Sequence, residues 1–145
     1  CTPKASIEEI TSRLREKKME GSFVVEYGNF EKIYRFLERN IARENREVQC
    51  VLFTIDEAED EVFDSIALQR QMEHLEHAIT SSLRKGDVTT NYSSGQMLAL
   101  LMDVNRDNSK IVVDRILQKY RQEAGEDAME ILYESQPLMP EEQVY

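Results

Sequence analysis

Tryptophan is absent from this 145-residue chain, and cysteine, proline and glycine are scarce, at two, three and five residues. Two cysteines, Cys1 and Cys50, make neither a disulfide framework nor a thiolate metal box. So little glycine and proline, beside 41% hydrophobic and 32% charged residues, excludes collagen-like, low-complexity and intrinsically disordered classes. No apolar run reaches the ~18–20 residues of a membrane-spanning helix, and the polar N-terminus lacks a signal-peptide apolar region, so a cytoplasmic protein without a membrane partner is expected. Positive charge is also short: 18 Lys+Arg against 28 Asp+Glu give a net charge of −10. That field repels a phosphate backbone and argues against direct nucleic-acid contact.

What remains suits one domain with a real core. Ser6 to Glu9 fits the capping box S-x-x-E, and Ile7, Ile10 and Leu14 follow at helical spacing on an otherwise charged segment. Because the chain starts at Cys1, residues 1–20 are expected to be a connector helix from an upstream receiver or sensor domain, with the domain proper over 21–140 and a tail over 141–145. An extended run over 22–27 is broken by Gly28-Asn29, which is expected to cap a helix from Phe30 to about residue 44. Val48 to Ile55 is almost wholly apolar or β-branched, as in a strand covered on both faces, with Cys50 as a buried thiol. The acidic run 56–61 reads as a solvated loop before the next helix.

Leu68, Met72, Leu75, Ile79 and Leu83 predict a long helix over 62–84, with Gly86 able to take a left-handed closing position. Strands over 88–92 and 97–102 around a Ser93-Ser94-Gly95 turn make a hairpin. A helix from Asn108 to about Tyr120 and a strand over 129–134 follow, with Pro137 and Pro140 stopping further structure. The expected architecture is α/β: a mixed sheet with helices on its faces.

Chemistry-bearing patterns are few. His74 and His77 lie three apart, not at the four-residue spacing of H-E-x-x-H, and no cysteine stands near them; a solvated helix face explains them better than a metal. No G-x-S-x-G elbow and no glycine-rich phosphate loop occurs. The informative stretch is Leu83-Arg84-Lys85-Gly86-Asp87, five residues, then Ser93-Ser94-Gly95-Gln96-Met97 and the apolar run Leu98 to Met102.

That stretch resembles the signature region of the GGDEF (diguanylate cyclase) family: a helix ending L-R-x-x-D, a strand, the G-G-D-E-F turn five residues later, and a second strand. Weaker similarities surround it. Tyr27 to Arg39 falls where the family has its opening helix, Val51 to Asp56 where it has the D-I-D strand, and Asn105 to Tyr120, with Arg115-Ile116, fits the helix after the hairpin. The resemblance spans about residues 25–135 and implies the family's mixed sheet flanked by helices.

It also implies where the chain departs. Ser93 and Ser94 replace the two glycines that let the backbone approach nucleotide phosphates. Gly95 replaces the turn aspartate, Gln96 replaces the glutamate that helps hold Mg²⁺, and Thr54 replaces the first aspartate of D-I-D, although Asp56 keeps the second. The guanine-contacting stretch of the family has no counterpart between Asp56 and Leu75. Phosphoryl transfer depends on positioning and on neutralisation of charge by the metal. The expectation is therefore a pseudo-enzyme with no Mg²⁺: a regulatory or protein-interaction module of a bacterial signalling protein. The resemblance leaves two further uses open: a cyclic di-GMP receptor, since Arg84 and Asp87 match the R-x-x-D element through which the family binds cyclic di-GMP, and residual nucleotide cyclase or phosphotransferase activity, for which Asp56 and Glu57 are the only nearby carboxylates.

Overall fold

The computed structural model describes residues 6–15, 23–44, 46–56 and 65–139. Helix α1 (Ile7–Arg15) begins where the sequence places it, with the Glu9 amide donating to the Ser6 hydroxyl at 3.2 Å, and it leaves Ile7 and Ile10 exposed. Then come β1 (Phe23–Val25), α2 (Tyr27–Glu44), β2 (Val48–Asp56), α3 (Ser65–Ser82), β3 (Val88–Ser93), β4 (Gln96–Met102), α4 (Arg106–Ala124) and β5 (Glu130–Pro137), with a single 3₁₀ turn, Gly125–Asp127, before β5.

The five strands form one sheet in the order β1-β3-β4-β2-β5. β1 runs parallel to β3, and the β3/β4, β4/β2 and β2/β5 pairs are antiparallel. β2 and β3 are thus parallel with β4 between them, and β4 and β5 are parallel with β2 between them. This is the split βαββαβ arrangement, with α3 and α4 as the two crossover helices. The expected mixed sheet flanked by helices is the observed fold.

Alternation along the strands divides the core. Val51, Phe53, Ile55, Met97, Ala99 and Leu101 face α3 and α4, where they meet Leu75, Ile79, Val113, Ile116 and Tyr120. Val48, Val88 and Leu100 face the other way, onto Phe30 and Ile41 of α2. One helix covers less than two do. β2 is buried throughout on its α3/α4 face, whereas Cys50, Leu52 and Thr54 on the α2 face are only half-buried. Coverage on both faces is therefore complete on one side only, and Cys50 is a half-buried thiol whose pKa burial pushes up.

Element ends differ from expectation for identifiable reasons. Gly28 and Asn29 do not break the chain before α2; they lie in its first turn, which opens on the Phe30 amide bonding the Glu26 carbonyl at 3.0 Å. First-turn amides have no intrahelical acceptor, so weak helix formers are tolerated there. Gly86 does not take a left-handed conformation, because Asp87 closes the turn after α3 with its own backbone and side chain. α4 runs past Tyr120 to Ala124 and stops at Gly125, whose φ of 64° suits glycine and whose amide reaches the Arg121 carbonyl. β5 continues beyond residue 134 to Pro137, since it pairs with β2 along its whole length. The acidic run beyond Asp56 lies outside the described residues, as do Pro140 and the tail.

Candidate functional site

The signature turn sits at the tip of the β3–β4 hairpin. Ser93 pairs with Gln96 as the last rung, past a register shift between Asn91 and Ser93, so the turn proper is Ser94-Gly95 and not the three residues expected. Ser93 and Ser94 are exposed, and Met97 is fully buried in the core that the sheet shares with α3 and α4. A Cβ at Gly95 would meet Leu68 at 3.7 Å, ordinary contact, so packing does not demand glycine there.

β2 runs beside this hairpin, and its register puts Thr54 directly opposite Gln96. These are the two positions where the resemblance places metal-binding carboxylates, so the fold does bring them together. The Gln96 amide nitrogen donates to the Thr54 hydroxyl at 3.2 Å, and the amide oxygen accepts from the Ser93 hydroxyl at 2.9 Å. Gln96 is thus held at both ends inside a neutral chain of three side chains. Mg²⁺ is a hard cation that relies on carboxylates. With none in the trio, and with the amide already engaged, these residues do not fit the ion. Asp56, two residues along β2, is exposed and opposite Glu130 of β5.

The second sequence-derived pair lies at the far end of the same strands. Asp87 is only 3% exposed, and both its oxygens accept backbone N–H groups: Arg84 at 3.0 Å and Met102 at 2.9 Å. It clamps the turn after α3 to the end of β4. The Arg84 guanidinium donates to the Met102 carbonyl, and its Nε lies 3.8 Å from the Asp87 carboxylate. Beside this clamp is a cleft of about 370 Å³ lined by Arg84, Asp103, Asn108 and Arg115 among others. Asp103 takes a left-handed φ of 57° and forms a two-pronged pair with Arg46, at 3.1 Å on each oxygen. The guanidinium holds its carboxyl below the usual carboxylate range.

His74 and His77 do have an acidic partner, but from another helix. Glu123 of α4 reaches His77 Nδ1 at 2.9 Å and His74 Nδ1 at 3.3 Å, and these contacts lower its pKa. Forty-six residues separate His77 from Glu123, so no local motif points to the contact. Among the described residues no group of three His, Cys, Asp or Glu side chains is arranged to hold a metal. Sequence reasoning also missed the exposed pair Tyr27 and Tyr92, whose rings lie 5.3 Å apart and tilted by 58° beside the hairpin.

No protein-family model matches this chain, and no curated protein matches it in sequence. A solved structure is similar in fold: a DGC protein from Thermotoga maritima superposes with a TM-score of 0.53 at 16% identity, over 77% of this chain and 81% of that one. The mixed five-stranded sheet flanked by helices is the fold this chain has in common with that protein.

Proposed function

We propose that this chain is a GGDEF-like domain that has lost diguanylate cyclase chemistry and acts as a regulatory, protein-interaction module of a bacterial signal-transduction protein in the cytoplasm. Upstream, α1 connects it to a receiver or sensor domain. The carrying observation is the hydrogen-bonded trio Ser93, Gln96 and Thr54, which occupies with neutral groups the cross-strand place where the resemblance calls for carboxylates. Joining two GTP molecules requires a metal to neutralise phosphate charge, and a neutral donor set does not supply its ligands. The fold of the DGC protein from Thermotoga maritima supports the family, and the −10 charge supports a partner other than nucleic acid. Incubation with GTP and Mg²⁺, read by chromatography, is expected to yield no cyclic di-GMP; turnover above a protein-free control overturns the reading.

The cleft beside Arg84 favours a second reading, a cyclic di-GMP receptor. Arg84 and Arg115 both line it, and guanidinium groups suit phosphate oxygens and guanine edges. In this reading the two arginines make the contacts and Asp87, already committed to backbone amides, holds the turn that presents Arg84. Calorimetric titration with cyclic di-GMP tests it: micromolar binding lost in both Arg84→Ala and Arg115→Ala supports it, and silence from the unaltered protein excludes it.

A further inference from the structure

We propose that the outer edge of β5, the last strand on its side of the sheet among the described residues, is a docking strand for an extended basic segment of a partner protein, which adds to the sheet as a further strand. The inference deepens the interaction role proposed above and rests on it, by giving that role a surface and a partner chemistry. β5 closes one side of the sheet order. The Leu138 amide donates to the Val48 carbonyl at 2.8 Å, and pairing runs without a bulge from Gln49↔Pro137 to Asp56↔Glu130. In an antiparallel ladder, backbone groups alternate between facing the partner and facing away. Residues 132, 134 and 136 therefore bond β2, while Ile131, Tyr133 and Ser135 direct N–H and C=O groups outward. Pro137 falls on the outward set, where its missing N–H disturbs no ladder bond.

Edge strands are commonly guarded by lysine, a bulge or early proline. β5 contains no lysine or arginine, no bulge, and proline only as its last residue. Its outer face instead reads acid, apolar, acid. Glu130, Leu132 and Glu134 share the α2 face, all three are exposed, and Leu132 keeps 50% of its surface open. Neither glutamate has an ion-pair partner among the described residues. An added antiparallel strand sets its side chains opposite these. The complementary segment carries lysine or arginine opposite Glu130 and Glu134 and an apolar residue opposite Leu132, with backbone bonds supplying affinity and the side chains selectivity. A second copy of this chain fits worse, because two β5 strands bring like charges together on molecules that each carry −10.

The probe is a blocked seven-residue peptide that alternates threonine with lysine, valine and lysine, titrated against the full chain by NMR with amide exchange. Binding should slow exchange at the Ile131, Tyr133 and Ser135 amides by at least about tenfold. N-methylation of the threonines that face β5 should abolish binding, and N-methylation of the lysines and valine should not. The surface double variant Glu130→Lys with Glu134→Lys should bind at least about tenfold more weakly, from reversed charge at the rim. No binding, indifference to which amides are methylated, or equal binding of a glutamate-containing peptide overturns the proposal. Self-association of the free protein that protects the same three amides also overturns it, by making the occupant a second copy. None of these readouts involves GTP, so this failure and a failure of the pseudo-enzyme reading are separately visible.

Discussion

Asp87→Ala tests whether this carboxylate is chiefly a structural clamp. The side chain is 3% exposed and takes two backbone hydrogen bonds, from Arg84 at 3.0 Å and Met102 at 2.9 Å. Alanine removes both acceptors and orphans two amides, each at a cost of about 1–3 kcal/mol, for a total near ~4 kcal/mol. Asparagine keeps one acceptor and turns an NH₂ group toward the other amide, so its cost is about half, ~2 kcal/mol. Against a total stability of about 5–15 kcal/mol, the alanine variant loses a large share of what holds the domain folded. Urea unfolding followed by circular dichroism is the assay. With a slope of about 2 kcal/mol/M, the midpoint should fall by ~2 M for Asp87→Ala and ~1 M for Asp87→Asn. Arg84→Ala is the control: its guanidinium is largely exposed, so screening leaves its contacts worth at most about 1 kcal/mol. An Asp87→Ala midpoint within about 0.3 M of the parent protein refutes the clamp, because no buried amide has then been orphaned.

Tyr120→Phe should cost about 2–3 kcal/mol by urea midpoint, since the buried hydroxyl donates to Gln71 Oε1 at 2.6 Å and accepts from the Met129 amide at 3.0 Å, leaving both unpaired when it is removed. Glu123 has a lowered folded-state pKa, so its contribution is present above its ordinary value of 4.5 and is lost as pH falls through the folded value. The stability difference between the parent chain and Glu123→Gln should accordingly close on acidification, and a difference that widens below pH ~4.5 refutes the pairing with His74 and His77. Restoring carboxylates in Thr54→Asp with Gln96→Glu places two facing acids on adjacent strands, and Mg²⁺ should then raise the thermal midpoint of the double variant and not that of the parent. Equal Mg²⁺ response in both proteins contradicts the cross-strand placement of the metal ligands.

Local chemistry decided much of this molecule before any tertiary contact. The 3.6-residue spacing of Leu68, Leu75 and Ile79 and of Val113, Ile116 and Tyr120 specifies both crossover helices and the faces they bury. The β-branched run of β2 and the Ser93 to Gly95 interruption between the Thr/Tyr-bearing β3 and the apolar β4 specify the sheet and its hairpin. Those signals depend on neighbours within a few residues. Strand order does not: β5 pairs with β2, across more than seventy residues, because the helix crossover must pack back onto the sheet, and no pattern within either strand names the other. For the same reason only the folded chain sets Thr54 against Gln96, Glu123 between two histidines, and Met102 against Asp87. Arg84 and Asp87 show the division most plainly. Their spacing was legible as a motif, but the carboxylate's engagement depends on a backbone amide fifteen residues away, which only the closing of the β3–β4 hairpin brings within reach.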